Sequence, residues 1–201
     1  AMGIPMMSPG KRINKMVETL ELIRQHYSGD QIDLDGEYIN VSGFSGAPTP
    51  GKMPPVMIGG GAKRILGIAG RHADIVSINF NNSAGKIGPE GVGSGTSAGT
   101  LQKLEWIKAG AGERFSEIEI EIAAYFTVVT EHSDVVANEF AKLFNLSSSE
   151  ILDHPHCLIG QTSEIIERIQ QRREEFGINY ITFGGAAIDD VAPIVEALSG
   201  T

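Results

Sequence analysis

The sequence predicts an α/β fold in which parallel strands alternate with helices. The main evidence lies in residues 54–80, where a short apolar run, three glycines, a helical pattern and a second β-branched run follow one another. This order is typical of two parallel strands joined through a crossover helix. Near the C-terminus, a helical pattern at 163–176, a β-rich run at 180–183 and a helical pattern at 189–198 continue the alternation.

The composition fits a globular domain of 201 residues, of which 41% are hydrophobic, enough to form a core. A net charge of −9 argues against nucleic acid or an anionic membrane surface as a partner. The single cysteine, Cys157, excludes an internal disulfide framework and fits a reducing compartment. No apolar run approaches the roughly 20 residues of a membrane span, and we expect a cytoplasmic location.

The glycine turn after the first strand predicts a phosphate site. Gly59, Gly60 and Gly61 permit a tight turn and close approach of a ligand to the backbone. The turn opens a helix, whose free N–H groups and positive dipole end attract anions, and Lys63 and Arg64 add cationic charge there. The alternative is a plain βα turn in which the glycines only relieve strain.

Two nucleotide-binding motifs do not match this turn. A dinucleotide fingerprint requires a third glycine where Arg64 stands, and an acidic residue at the end of the next strand, which here ends in Asn79 and Phe80. The Gly-Lys-Ser/Thr ending of a P-loop is also missing from the turn. These comparisons favour a phosphorylated ligand other than NAD or ATP.

Three further segments raise functional alternatives. Residues 118–128 alternate like one strand, and we expect Glu117, Glu119 and Glu121 to share a solvated face rather than to form a catalytic pair, although one of them could point into a polar site. The glycine-rich residues 81–100 predict a mobile loop, an active-site loop or both. The sequence His154-Pro155-His156-Cys157 packs potential metal ligands into one short segment with no second cluster, so we assign no metal site.

Several of these stretches resemble luciferase-like monooxygenases. Pro-Pro-Val-Met-Ile-Gly-Gly-Gly at 54–61 and Gly-Arg-His-Ala-Asp-Ile-Val at 70–76 are similar to the fifth strand, the following helix and the sixth strand of that family. The branch that uses the deazaflavin coenzyme F-420 is the most similar. Shorter matches are found at 3–12, 35–38, 155–160 and 177–180, so the resemblance spans nearly the whole chain.

The resemblance implies a TIM-barrel type of fold. A complete (β/α)8 barrel needs about 250 residues, and the resemblance begins after the family's fourth strand. We therefore expect the C-terminal half of the barrel, with about four βα units, preceded by a helix at 8–28 and a small hairpin at 31–41 and forming a single α/β domain over residues 1–201. A half barrel leaves two unpaired sheet edges, which predicts a homo-oligomer, in the simplest case a dimer, or pairing with a missing N-terminal half.

The resemblance also implies a function, namely an oxidoreductase that transfers a hydride between coenzyme F-420 and a small-molecule substrate. By the family pattern, Asn79 and Phe80 lie near the ring or the substrate, and five residues contact the cofactor: Gly59, Gly60, Gly61, Ala62 and Lys63. FMN with oxygen chemistry is one alternative. A flavin- or phosphate-binding half barrel without catalysis, or a truncated fragment, is another. No catalytic residue is assigned, because the family's residues around the reactive ring come largely from the first four strands.

Overall fold

The computed structural model describes residues 6–48, 51–82, 85 and 87–200. Its contacts divide the chain into two compact units, one up to residue 54 and one from residue 55 onward. That the whole chain forms a single domain stays a prediction.

The first unit consists of a helix and a β-hairpin, as predicted. They are α1 (Pro9–Ser28), β1 (Ile32–Asp35) and β2 (Asn40–Phe44), with the two strands antiparallel. Proline in the first turn favours the start of α1, and the helix ends at Gly29, whose φ of 82° is a left-handed conformation that glycine adopts easily. The Glu18 carboxylate accepts hydrogen bonds from the backbone N–H groups of residues 37–39, at 3.1, 2.8 and 2.9 Å, which holds the hairpin loop on the helix.

The second unit is an α/β structure. In chain order it contains β3 (Met57–Gly60), α2 (Lys63–His72), β4 (Ile75–Ile78), α3 (Pro89–Gly93), α4 (Ser97–Ala111), a 3-10 helix (Gly112–Glu117), β5 (Glu119–Ala124), β6 (Phe126–Val129), α5 (Ser133–Phe144), α6 (Ser148–Asp153), β7 (Cys157–Gly160), α7 (Thr162–Phe176), β8 (Ile178–Phe183) and α8 (Ile188–Leu198). The order β3-β4-β5-β8 forms a four-stranded parallel sheet. The predicted parallel α/β fold with four βα units is confirmed.

The two faces of this sheet differ in chemistry. On one face, strand register places Gly59, Ser77 and Glu121 side by side. The opposite face is apolar, and Ala124 at the end of β5 belongs to a buried cluster with Ile165 of α7 and residues of α8. Helices therefore cover one face, while small and polar side chains occupy the face that would line a barrel interior.

The predicted strand over residues 118–128 is wrong in one respect, because the structure has two strands there. The chain breaks at Tyr125, whose N–H donates to the Ala123 carbonyl at 3.0 Å, and β6 then pairs with β7 in a separate two-stranded parallel sheet. The strand β7 was not predicted from the sequence. A run as short as Cys157–Gly160 gives too weak a periodicity to predict a strand, although Leu158 and Ile159 are fully buried.

The glycine-rich segment at 81–100 contains more helix than expected. Within its described part, α3 occupies Pro89–Gly93, and α4 begins at Ser97, where the Thr96 hydroxyl accepts a hydrogen bond from the Gly99 N–H. Val92 of α3 is fully buried. Residues 83, 84 and 86 lie outside the described residues, and the mobility of the segment stays a prediction.

Candidate functional site

The candidate site lies where the carboxyl ends of β3 and β4 meet. Gly59 and Gly60 end β3, Gly61 and Ala62 form the turn, and Lys63 is the first residue of α2. The Asn79 N–H donates to the Gly60 carbonyl at 2.8 Å, so the end of β4 is held against the turn. This edge of a parallel sheet is where TIM barrels carry their active sites.

Different neighbours restrict each of the three glycine positions. At Gly61, which is buried, a Cβ would overlap the Phe80 carbonyl and would lie 2.6 Å from the Asn79 carbonyl oxygen. A Cβ on Gly60 would overlap the Ile65 side chain. Gly59 is exposed, and its nearest contact would be the side-chain amide of Asn79 at 2.9 Å. Close packing therefore restricts all three glycines, and of the three Gly59 is the exposed one, whose surface is open to a ligand.

The N-terminus of α2 has the features of an anion site. Ala62 occupies the N-cap position and cannot cap the helix with its side chain, and the first turn contains no acidic residue. No capping or acidic side chain of the first turn therefore bonds to the free N–H groups or balances the positive end of the helix dipole. Ala62 and Lys63 are exposed. The residues thus fit a phosphate group, whereas the N-terminus of α7 already holds the carboxylate of Glu164 in a capping box.

Asn79 is fixed from several sides. Its main-chain carbonyl accepts a hydrogen bond from Lys103 Nζ at 2.8 Å, and its side-chain oxygen accepts one from the Tyr125 hydroxyl at 2.5 Å. Its side-chain amide also donates to Ser77 Oγ at 3.3 Å. The predicted site residue therefore has one fixed orientation. Sequence reasoning missed both Lys103 and Tyr125 as site residues, although Tyr125 lies an even number of residues after Glu121 in the alternating segment 118–128.

Lys103 is a buried lysine on α4, with 2% of its surface exposed. Within the described part of the chain, no carboxylate lies within ion-pair distance of its ammonium group. Burial lowers the pKa of Lys103 to about 8, because the charged form loses its hydration.

Phe80 lies behind Tyr125 rather than in the open site. Its side chain is 2% exposed, and its ring centroid lies 5.1 Å from that of Tyr125 and 4.4 Å from that of His156. A direct contact between Phe80 and a substrate stays a prediction. What the geometry establishes is an aromatic support under the Asn79–Tyr125 pair.

The two histidines considered as metal ligands bond to the backbone. His154 Nε2 donates to the Val92 carbonyl at 2.9 Å and His156 Nδ1 to the Ala123 carbonyl at 2.8 Å. Both are fully buried, and burial lowers the pKa of His154 to about 4 and that of His156 to about 3. They are therefore neutral near pH 7. Burial also raises the pKa of the Cys157 thiol to about 12, which leaves it unreactive.

Glu121 departs from the expected solvated face. It is 3% exposed, and its Oε2 has no hydrogen-bond partner among the described residues. Glu119 is exposed, as predicted, so the expectation was wrong for Glu121 because strand alternation gives the face of a residue but not what covers it. Burial and, to a smaller extent, the charge of Glu121 raise the pKa of the Tyr125 phenol. Tyr125 consequently keeps its proton and remains a donor to Asn79.

Together, the fold and the site define a parallel α/β protein of TIM-barrel type with an uncapped helix N-terminus behind a glycine turn at the end of a strand. The family model for luciferase-like monooxygenases matches residues 1–175. The chain belongs to the luciferase-like monooxygenase family, which confirms the resemblance predicted from the sequence. None of the helices in the described ranges is long and apolar enough to cross a membrane.

Similar proteins include deazaflavin and flavin enzymes. An F420-dependent glucose-6-phosphate dehydrogenase of Mycobacterium tuberculosis is 36% identical over 64 residues, which are 32% of this chain and 19% of that protein. The structure of an F420-dependent secondary alcohol dehydrogenase with an F420-acetone adduct matches with a TM-score of 0.67 at 16% identity, over 98% of this chain and 64% of that one. A riboflavin lyase structure with modified FMN matches with a TM-score of 0.67 at 14% identity, over 97% and 59% of the two chains. This chain thus spans less than two thirds of the length of each.

Proposed function

We propose that this chain is part of an oxidoreductase that uses coenzyme F-420 to transfer a hydride to or from a small-molecule substrate. The observation that carries the proposal is the uncapped N-terminus of α2 behind the glycine turn, at the sheet edge where TIM-barrel enzymes bind their ligands. Membership of the family and the F420-dependent relatives support it. The cofactor would supply the redox chemistry, and the protein binding and orientation.

The residues of the turn would hold the phosphate part of the cofactor. The exposed backbone of Gly59 allows close approach, and the first N–H groups of α2 would donate to phosphate oxygens. Lys63 adds a positive charge at the open side of the turn. Asn79, held by Tyr125, would then face the ring or the substrate with a fixed amide group.

FMN is the second candidate cofactor, favoured by the structural match to a lyase that holds modified FMN. Its phosphate would occupy the same turn, so the geometry supports both. A module that binds the cofactor without catalysis is the remaining alternative. Fluorescence titration with coenzyme F-420 and with FMN, followed by a hydride-transfer assay on any complex, separates the three.

We expect Lys63→Ala to weaken binding of coenzyme F-420 by roughly five- to tenfold, because a phosphate at a helix N-terminus would lose one nearby cation. Lys108→Ala is the matched control, since Lys108 lies in the last turn of a different helix, α4, and forms an ion pair with Glu105. Its affinity should equal that of the wild type. Equal losses in the two variants, or none in Lys63→Ala, would argue against a phosphate beside α2.

We also propose that the sheet pairs with a second barrel half, in the simplest case from another copy of this chain. Among the strands described, β3 and β8 each have one neighbour, and their residues Met57 and Tyr180 are 46% and 40% exposed. Unpaired strand edges are templates for pairing with another chain. Sedimentation at micromolar concentration should give a mass above the 21.5 kDa of the monomer. A homogeneous monomer with cooperative unfolding would contradict this.

A further inference from the structure

Lys103 lies directly behind the glycine turn. Its Nζ donates to the Asn79 carbonyl oxygen at 2.8 Å, and this same oxygen lies 2.6 Å from the position that a Cβ of Gly61 would take. The ammonium group of Lys103 and Gly61 of the turn thus lie against the same carbonyl group, that of Asn79. Neither the sequence motifs nor the family match draws attention to this lysine, because it lies on α4, 24 residues after Asn79.

We propose that Lys103 is a positioning residue of the glycine-turn site and that its buried ammonium charge stabilises an anionic group bound there. This rests on the proposed function, in which a phosphate occupies the turn. Lys103 would act without touching the ligand, by fixing the end of β4 against Gly61 and by placing a positive charge behind the turn.

The burial of Lys103 is what makes its charge effective. Burying a charged group without a counter-ion is unfavourable, and no carboxylate among the described residues compensates this ammonium. Away from water, charges interact over several ångströms with little screening. An anion at the turn would therefore serve as the counter-charge that the fold itself does not provide.

Binding and protonation are then coupled. An anion at the turn favours the charged form of Lys103, so binding should raise the pKa of this lysine above its value of about 8. By reciprocity, loss of the proton should weaken anion binding by the same factor. The affinity for the anion should consequently fall as the pH rises through 8, by roughly tenfold for each unit by which the anion raises the pKa.

The groups around Lys103 allow this effect to be attributed. His154 and His156, from the segment before β7, have a pKa of about 4 and about 3, and Arg172 of α7 has one of about 10. The pKa of Tyr125 is raised above that of an ordinary phenol. The site also contains Glu121 on β5 and the exposed cations Lys63 and Arg64 at the start of α2. All of these remain in a Lys103→Met variant, which makes that variant a specific control.

The test uses sulfate as the probe, because sulfate does not titrate between pH 7 and 10. Its dissociation constant is measured at constant ionic strength from the amide shifts of residues 59–65, in the wild type, Lys103→Met and Lys103→Arg. The wild-type affinity should fall roughly tenfold between pH 7 and 9.5. Lys103→Met should bind roughly tenfold more weakly at pH 7 and independently of pH, whereas Lys103→Arg should bind well and also independently of pH. The ¹³C shift of Lys103 Cε, followed against pH in the wild type, should show a pKa that rises when sulfate is added.

The outcomes separate this inference from the proposed function. If sulfate binds at the turn with the same affinity and pH profile in the wild type and in Lys103→Met, the role of Lys103 is overturned and the anion site stands. If Lys103→Met does not fold, an unchanged pKa of Lys103 on sulfate binding in the wild type overturns the role equally. If neither sulfate nor coenzyme F-420 shifts the amides at 59–65 in the wild type, the proposed function is overturned and the inference with it.

Discussion

Replacing Arg172 by methionine is expected to lower the free energy of unfolding by about 3–5 kcal/mol. Arg172 lies on α7 and is 5% exposed. Its guanidinium group donates to the carbonyls of His154, Pro155 and Cys157 at 3.0, 3.2 and 2.9 Å, so it satisfies the backbone of the whole segment that leads into β7. Methionine preserves much of the apolar packing but supplies no donor.

The large effect follows from what remains after the substitution. A buried carbonyl left without a partner costs about 1–3 kcal/mol. The carbonyls of Pro155 and Cys157 lose the donor that Arg172 supplies, while that of His154 keeps a hydrogen bond from the Cys157 N–H at 2.8 Å. The segment also carries His156, whose ring supports Phe80 and Tyr125, so loosening it should disturb the candidate site as well.

Urea denaturation of Arg172→Met measures this loss directly. Gln170→Met on the same helix is the control, because Gln170 is exposed and its replacement should change stability by no more than about 0.5 kcal/mol. Similar stabilities for the two variants would show that the carbonyl contacts of Arg172 contribute little.

The second large effect is expected for Gly61→Ala, which should lower the free energy of unfolding by about 3 kcal/mol. A methyl group at Gly61 would overlap the Phe80 carbonyl, and a backbone group cannot move aside as a side-chain end can. The end of β4 would therefore be pushed away from the turn, and Asn79 with it.

Gly59→Ala is the matched comparison two residues earlier. Its methyl group would lie 2.9 Å from the side-chain amide of Asn79 and 3.5 Å from Ser77 Cβ. The amide would have to shift from its hydrogen bonds, so we expect a loss of about 1 kcal/mol, smaller than at Gly61 because a side chain can move and a backbone carbonyl cannot. Because Gly59 is exposed at the end of β3, beside the turn, the same methyl should weaken cofactor binding roughly tenfold. Thermal unfolding and fluorescence titration of both variants check this. A stable Gly61→Ala protein, or undiminished affinity in Gly59→Ala, would contradict the roles given to these glycines.

The features that the sequence predicted correctly depend on neighbouring residues. The glycine turn, α2 and the flanking strands follow from an apolar run, glycines and helical spacing within residues 54–80. The end of α1 at Gly29 and the hairpin after it have similarly local causes. Each of these features is determined by a few residues whose conformational preferences do not depend on the rest of the fold.

The features that the sequence did not predict depend on residues far apart in the chain. Tyr125 and Asn79 are separated by 46 residues, and Arg172 and His154 by 18. No periodicity shows that a lysine such as Lys103 is buried. Helical spacing indicates on which face of the helix a residue lies, but not which other residues pack over that face. The same limit explains Glu121. Strand alternation correctly predicted its face of the sheet, but not that this face is buried at Glu121.

The central claim is that the backbone from Gly59 to Lys63 binds the phosphate part of coenzyme F-420. Mapping the backbone amide shifts of the ¹⁵N-labelled protein during titration with coenzyme F-420 tests it most directly. We expect saturable shifts concentrated at residues 59–65 and at Asn79, with little change at the capped N-terminus of α7. Saturable binding with its shifts at α7, or no change at residues 59–65, would contradict the claim.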